Sequence, residues 1–595
     1  MIRLKRSHNL NILSEALAEQ LTETAPGDPF ISQKIIVPNL DTARWFKLFA
    51  AGQNGIAANL ECMLPAEWMW KQIRKLYPDL PELLPSDLQP MKWSLFGLLS
   101  DPDQRKKFDR LDRYVRNQPE ARREQAVYQM AGQIASVFDE YLVYRPDMML
   151  RWHQGHSGNG DEKWQSELWR MLNKSWKRPG SENQKNRAEL FKEVFAALSN
   201  RQLETDDSLF VLNPGLLPLP VVKLLKKTGE QSELFIYQLE LSKKVKESIN
   251  ELVQVFGRES ESISNVINIL SPDKVINLHS GISRKGLLNK VKSKILNDES
   301  IQNISDNEDE ISDIEIRSCH SPLREIEVLH QFLLEKFEED ETLRPDDVLV
   351  ATPDLDTYRP YIKAVFDQAE NGVPQIPYHA GYSARHSELG MERALLRLLN
   401  LIDSRFEISE VIDLFMMRPV YQSFGISESD CHKLKRWIEE NHVVWGLNAN
   451  HRKEFDQPVE ELQTWDLALR RGWFGNLLGG KEGEIADDLL LYQSIRTSND
   501  QQIWAAFSNY LHQLDTMRIE IKQEKPCSKW VDWLTNRMDA LFDGASPGSG
   551  EAQTIKHVLG QIQEQVGVGE CGKEISFSLL KNELTSMLDL SLIHI

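Results

Sequence analysis

Five cysteines in 595 residues (Cys62, Cys319, Cys431, Cys527 and Cys571) are scattered and odd in number, which excludes a disulfide framework. None stands in a C-x-x-C spacing, so a thiolate zinc site is excluded as well. They read as reduced, mostly packed thiols. Long apolar runs are also missing: nothing approaches the roughly 18 residues a membrane span needs. With 41% hydrophobic and 27% charged residues and a mean hydropathy of -0.44, the composition is that of a soluble globular protein. The start, Met1-Ile2-Arg3-Leu4-Lys5-Arg6-Ser7, is basic but has no continuous apolar segment and no small-residue cleavage site. A cytoplasmic location with no membrane attachment is expected. Positive charge is scarce too. The formal net charge of -19 excludes wholesale coating of duplex DNA, which needs a basic face to displace counterions, while leaving room for a basic channel inside an acidic shell.

A phosphate cradle is the next absence. A P-loop needs G-x-x-x-x-G-K-[ST] between a strand and a helix, so that backbone amides and the lysine hold phosphates and the hydroxyl holds magnesium. After the apolar run Lys34-Ile35-Ile36-Val37 the chain instead reads Pro38-Asn39-Leu40-Asp41-Thr42-Ala43-Arg44, with neither glycine nor lysine. The near miss Gly475-Asn476-Leu477-Leu478-Gly479-Gly480-Lys481-Glu482 puts a carboxylate where the hydroxyl belongs and follows a helical pattern, so it reads as a glycine-rich helix exit. Leu209 to Leu212 runs into Asn213-Pro214-Gly215 rather than an Asp-Glu pair that would polarise water. The acidic residues of 298–313 read as a solvated charge run rather than a nuclease metal site, and Cys319-His320 and Cys431-His432 lack a second ligand pair. No G-x-S-x-G marks a hydrolase.

What is present suggests three to five compact units, at roughly 100–200 residues per domain. Lys34 to Val37 reads as a short buried strand followed by a helix (Trp45, Leu48, Phe49). Val127, Met130, Ala131, Ile134, Phe138 and Tyr141 predict an amphipathic helix over 124–143 that ends near Arg145-Pro146, within a mostly helical stretch from 66 to 200. Strand 208–212, helix 220–227 and strand 234–237 predict a βαβ crossover. Residues 241–313 turn to Ser, Asn, Lys, Asp and Glu and read as a polar connector. A second layer follows: strand 314–316, a helix capped by Ser321 with Pro322 at its first position and a stripe of Ile326, Leu329, Leu333 and Phe337, strand 347–351, and helix 358–366. Beyond about 390 the pattern is helical. The expected domains are therefore 1–240, 241–313 and 314–595.

Single strands are gripped by aromatic platforms, worth ~1–3 kcal/mol per stacked base, together with basic side chains, and arginine reads guanine edges. Trp68, Trp70, Arg145 and Arg187 are of the right types. Against them stands the plainer reading that 15 tryptophans in a large helical protein mostly fill cores.

Several segments carry a resemblance. Gly55-Ile56-Ala57-Ala58-Asn59-Leu60-Glu61-Cys62-Met63-Leu64-Pro65-Ala66-Glu67-Trp68-Met69-Trp70, Phe138-Asp139-Glu140-Tyr141-Leu142-Val143-Tyr144-Arg145-Pro146-Asp147, Cys319 to His330, Asp403-Ser404-Arg405-Phe406, and Trp437 with Trp445-Gly446 resemble the RecC family, the gamma subunit of exodeoxyribonuclease V. The likeness spans roughly residues 1–585. It implies an α/β, superfamily 1 helicase-like fold with two degenerate motor-type domains and large helical insertions, in keeping with the missing P-loop. It further implies a noncatalytic subunit of the RecBCD helicase-nuclease, partnered by the RecB and RecD motors, which threads single-stranded DNA from a broken end and recognises Chi in recombinational repair. ATP and magnesium would be used by those partners, with no cofactor in this chain. By the same resemblance Leu64, Trp70, Asp139, Arg145 and Arg187 match the channel residues involved in Chi recognition. Leu64 and Trp70 would be apolar base contacts, Arg145 and Arg187 base or phosphate contacts, and Asp139 an acceptor or arginine orienter. Pro38, Leu40, Arg44, Ser136 and Val137 depart from the family pattern, which implies a different recognised sequence or weak recognition. The family's nuclease-like C-terminal half is missing, and Asp589 to Ile595 departs from the pattern, so a truncated product is expected. The rival readings are an active DNA-dependent ATPase and a pure scaffold for the motor subunits.

Overall fold

The computed structural model describes residues 1–28, 30–158, 160–176, 185–198, 208–242, 246–278, 286–302, 313–367, 375–379, 390–478, 485–486, 489–491, 495–542 and 550–594. The chain forms two compact units, one of Met1–Leu88 with Ile134–Val373 and the other of Gln89–Gln133 with Pro374–Ile595.

The first unit is built on six strands: β1 (Ile2–Ser7), β2 (Gln33–Ile36), β3 (Leu60–Met63), β4 (Ser208–Leu212), β5 (Glu233–Leu239) and β6 (Lys274–Asn277). They lie in the order β3-β2-β4-β5-β1-β6, and every neighbouring pair is parallel. Parallel sheets need both faces covered. That is why β4 and β5 are continuous apolar runs: Leu209, Val211, Leu234 and Ile236 enter one core while Phe210, Leu212, Phe235 and Tyr237 enter the other. Helices Leu10–Glu23 and Leu40–Asn54 close the second face with Leu13, Leu17, Leu21, Phe46 and Ala50. Helices Pro65–Leu76, Arg187–Leu198, Leu219–Gln231 and Arg258–Ile269 close the first with Trp68, Ile73, Val194, Leu224, Leu225 and Ile267. The predicted helix over 124–143 is there as Arg123–Tyr144, and the βαβ at 208–239 is present with its strands adjacent and parallel.

Three features differ from the sequence reading. The basic N-terminal stretch is a strand: Ile2 and Leu4 supply its only buried large apolar side chains, while Arg3 and Lys5 lay their cations over the rings of their register partners Phe235 and Tyr237, at 5.0 and 5.3 Å. Such long stems satisfy an apolar neighbour without reading as hydrophobic. The segment taken as a connector contributes β6 and helices Glu251–Phe256, Arg258–Ile269 and Leu287–Asn297. Asn250 caps the first of these, its Oδ1 accepting from the N–H groups of Leu252 and Val253 at 3.1 and 3.2 Å. The acidic residues 306–312 lie outside the described residues. Finally, residues 314–316 and 347–351 are not strands, so the second α/β layer is not formed among the described residues. Ile316 is 92% and Leu349 91% exposed. Strand propensity is expressed only against a pairing neighbour. The flanking helices do form: Pro322–Glu339, with Ser321 Oγ accepting from Arg324 N at 3.3 Å, and Leu355–Phe366. Ile326 and Leu333 of the predicted stripe are buried, and Leu329 and Phe337 half-buried.

The second unit is chiefly helical, as read. Trp465, Trp504, Trp530 and Tyr510 are fully buried in it. Its most deeply buried carboxylate among the described residues, Glu583, takes a 2.7 Å ion pair from Lys92 and a hydrogen bond from the Tyr128 hydroxyl, so the burial cost is met by charge and donor together.

Gly229, in helix Leu219–Gln231, meets β1 so closely that an added Cβ would stand 2.4 Å from Ile2 Cγ1. Gly229→Ala is expected to lower stability by about 1–3 kcal/mol. Gly52→Ala, in a helix where no atom lies within 4 Å of the new methyl, is expected to raise it by about 0.4–1 kcal/mol. Urea denaturation followed by circular dichroism measures both.

Candidate nucleic-acid interface

The sheet's carboxyl edge is where open parallel sheets bind ligands, at the point where successive connections run in opposite directions. Here that point lies between β2 and its neighbour β4: β2 leads outward to β3, and β4 leads inward to β5. Their following helices pack on opposite faces. The loop after β2 is short. Helix Leu40–Asn54 begins almost at once, and Asn39 caps it, its Oδ1 accepting from Thr42 N at 2.8 Å. An amide that a phosphate would need is thereby used by the chain itself. Leu40 is exposed. After β4, Asn213 and Gly215 take left-handed φ values of 41° and 68°, turning the backbone away before Pro218 leads into helix Leu219–Gln231. Gly475 of the near-miss motif is buried within helix Trp465–Leu478, and Gly479 to Glu482 lie outside the described residues.

Next to β2, β3 ends at Met63, whose carbonyl accepts from Val37 N at 3.0 Å, and Leu64 follows as the half-buried first cap of helix Pro65–Leu76. Pro65 at the first helical position starts that helix without wasting a donor. Trp68 and Trp70, both of suitable type, part company here: Trp68 is 1% exposed and belongs to the core, whereas Trp70 is half-buried. The Trp70 ring lies 5.9 Å from Phe191, which lies 6.3 Å from Phe195. Arg74 stands over Trp70 at 5.8 Å and Lys223 over Phe195 at 5.2 Å. Phe191 is 4% exposed and belongs to the core, so it anchors the two half-buried rings, Trp70 and Phe195, each beside a cation. Exposed ring edges next to cations are the elements that hold unpaired strands.

Arg187 opens helix Arg187–Leu198, where Asn186 and Glu189 cap each other: Glu189 N donates to Asn186 Oδ1 at 3.0 Å and Asn186 N to Glu189 Oε2 at 3.1 Å. The Arg187 N–H donates to Ser86 Oγ at 3.0 Å. Its guanidinium donates from Nη2 to Asp139, on helix Arg123–Tyr144, and its Nε faces Asp87 Oδ1 at 3.6 Å. Its side chain is 11% exposed. Burial pushes the Asp87 carboxyl up, against the pull of a 2.8 Å bond from Leu84 N and of Arg187. Arg187 and Asp139 are thus brought together, and Arg187 is engaged by two carboxylates rather than free. Arg145 is placed otherwise. It caps helix Pro146–His153 in the turn after Tyr144, with its N–H on Tyr141 O at 2.8 Å, and its exposed guanidinium has no hydrogen bond or ion pair among the described residues.

Sequence reasoning missed Asp87, Arg74, Phe191 and Lys223. Arg74 follows Trp70 by one helical turn, and Phe191 and Phe195 are likewise four apart, signals that periodicity carries. Asp87 has no such signal, since only the tertiary fold brings it to Arg187. Among the described residues no group of three or more His, Cys, Asp and Glu side chains is placed to hold a metal ion, and none of the helices is long and apolar enough to cross a membrane.

These features define an α/β protein that keeps the switch-point geometry of nucleotide-binding sheets without the loop chemistry for a triphosphate. Comparison with known proteins puts a family to it. The RecC N-terminal domain matches residues 2–250, and the fourth domain of the RecBCD enzyme subunit RecC matches 390–591. The chain is 27% identical to the RecBCD enzyme subunit RecC of Escherichia coli (strain K12) across 99% of its own length, and 24% identical to that of Haemophilus influenzae across 98%. The RecC of Mycobacterium tuberculosis (strain ATCC 25618 / H37Rv) is 23% identical over 91% of the chain. The chain belongs to the RecC family, the gamma subunits of exodeoxyribonuclease V. It spans 58% of the length of the first two relatives.

Removing Arg187 leaves Asp87 and Asp139 without their shared cation, so Arg187→Ala is expected to cost roughly 3 kcal/mol, while exposed Arg145→Ala stays within about 0.5 kcal/mol. Asp87 already binds its proton more tightly in the fold than in the unfolded chain, so the stability linked to it falls as pH rises through the folded pKa. Losing Arg187 raises that pKa further, and the deficit of the variant should be larger at about pH 8 than at about pH 5. Thermal denaturation at the two pH values checks this.

Proposed function

We propose that the chain is a noncatalytic DNA-binding subunit of a RecBCD-type helicase-nuclease. It threads single-stranded DNA and recognises Chi while RecB and RecD, using ATP and magnesium, move the strands during double-strand-break repair in the cytoplasm. On this reading the sheet is a superfamily 1 helicase-like motor domain that has lost its engine. The observation that carries it is the join between β2 and its helix, where Asn39 occupies the Thr42 amide and Leu40 faces solvent in place of a glycine-lysine phosphate loop. The half-buried rings Trp70 and Phe195, set beside Arg74 and Lys223, support a strand-gripping role. That the relatives are RecBCD enzyme subunits supports the choice of partners.

Within this reading the candidate contacts divide by exposure. Arg145 is available to a base or phosphate, Leu64 and Trp70 offer apolar surface, and Arg187 with Asp139 ties helix Arg187–Leu198 to the helix that leads into Arg145. In a complex assembled with RecB and RecD, Arg145→Ala is expected to weaken the response to Chi by about tenfold, the worth of one arginine-base contact, with the unwinding rate unchanged. Equal loss of both would assign Arg145 to the general grip on the strand. DNA-stimulated ATP hydrolysis by the purified chain alone would overturn the noncatalytic reading, and no photocrosslink from a single strand to Trp70 in the assembled complex would leave only a scaffold.

A further inference from the structure

Two segments that carry the family likeness, Asp403-Ser404-Arg405-Phe406 and Trp445-Gly446, take no part in the interface above. In the second unit they build one corner. The Arg405 carbonyl accepts from Gly446 N at 3.0 Å and the Phe406 carbonyl from the Trp465 indole N–H at 2.9 Å. These bonds hold Phe406 at a φ of 58°, left-handed backbone that a bulky side chain rarely adopts. Arg452 lies over the Trp445 ring at 4.9 Å and donates to its carbonyl at 3.1 Å.

Beside this corner opens a cavity of about 250 Å³. At about 30 Å³ per water, it has room for a one- or two-ring group. Its floor is Ile402, His451 and Phe577, each at most 3% exposed, and its rim includes Asp403, Lys522 and Ser578. His451 is the unusual member. Its Nδ1 accepts from Leu447 N at 3.2 Å, which places the ring proton on Nε2, and Nε2 has no partner among the described residues. Burial, with Arg518 adding to it, pushes the imidazole down to about 4, so the ring is a neutral donor near neutral pH.

The charges along the wall are already matched. Glu454 takes Arg518 at 2.8 and 3.0 Å and Lys522 at 2.5 Å, Asp515 takes Arg518 as well at 2.8 and 2.9 Å, and the carboxylate of Asp403 lines the rim. An anionic group entering here would meet two carboxylates, and a purely apolar one would leave the His451 N–H unmet in a buried site. A flat neutral ring with an acceptor atom on its edge answers both conditions: Phe455 and Phe577 supply ring contacts, and the His451 N–H supplies the edge contact. We propose that this cavity receives a nucleobase turned out of a single strand, with His451 Nε2 donating to the base edge and the phosphates staying outside the carboxylate-lined rim. The proposal rests on the DNA-threading reading and adds to it a second place of base contact.

The test uses the purified full chain, a short single-stranded oligonucleotide carrying one 2-aminopurine, the free 2-aminopurine riboside, and a dye-labelled unmodified strand of the same length. Ser578→Trp blocks the rim without touching the floor, and His451→Phe removes the donor. The expected result is a saturable change in 2-aminopurine emission with the oligonucleotide, weakened about tenfold or more in both variants, while anisotropy of the unmodified strand changes little. Binding of the free riboside as tight as that of the strand would overturn the polynucleotide source and make this a free-nucleoside pocket. An undiminished emission change in folded Ser578→Trp, whether or not His451→Phe folds, would overturn the cavity assignment and leave the threading role standing. No binding of the unmodified strand would overturn both.

Discussion

A parallel strand has no solvent face, and the first unit is organised by that requirement. β4 and β5 offer apolar side chains alternately to two cores, so helices must arrive on both sides. The helix after β2 is drawn to one face and the helices after β3 and β4 to the other. The carboxyl edge is left between them, bordered by Leu40 and Leu64. The packing that stabilises the sheet thus also fixes where a ligand reaches it. What that edge binds is then decided by a few loop residues, and Asn39, Leu40 and Asn213 are poorly matched to a triphosphate.

Within this frame the basic residues serve different ends. Arg187 is enclosed by Asp87 and Asp139 and ties a helix start to a helix interior and to the loop at 84–87. A buried guanidinium with two carboxylates has strong geometric preferences, and it orients rather than samples. Arg145 has the opposite character. It is held by its backbone, with its side chain left to solvent. The two arginines look equivalent in sequence, but the fold separates an enclosed, paired side chain from a solvent-exposed one.

The fold was legible where side-chain pattern and secondary structure agree. Helix Arg123–Tyr144, strands β4 and β5 and the cap at Ser321 all follow from periodicity or capping chemistry. β1, β3 and β6 escaped because a short strand whose cations lie on aromatic neighbours, or whose side chains face water, has no apolar alternation to read. The runs 314–316 and 347–351 erred the other way, since their composition suits a strand but no partner is present among the described residues. For the interface, the residue types were legible and their states were not. Nothing local distinguishes buried Trp68 from half-buried Trp70 before the helix is docked, or reveals that Asp87 and Asp139 converge on Arg187 across the chain.

The seven tryptophans shut fully inside the two units, Trp68, Trp93, Trp152, Trp169, Trp465, Trp504 and Trp530, have an optical consequence. Indoles in apolar, dry surroundings emit toward the blue and are shielded from dissolved quenchers such as iodide. Much of the intrinsic glow of this protein therefore reports on its interior and is blind to events at its surface. Trp70 shares the partly shielded class with Trp45, Trp164, Trp445 and Trp533, and Trp473 is 38% exposed, so a change at Trp70 would appear as one part of a small red-edge component on a large, constant background.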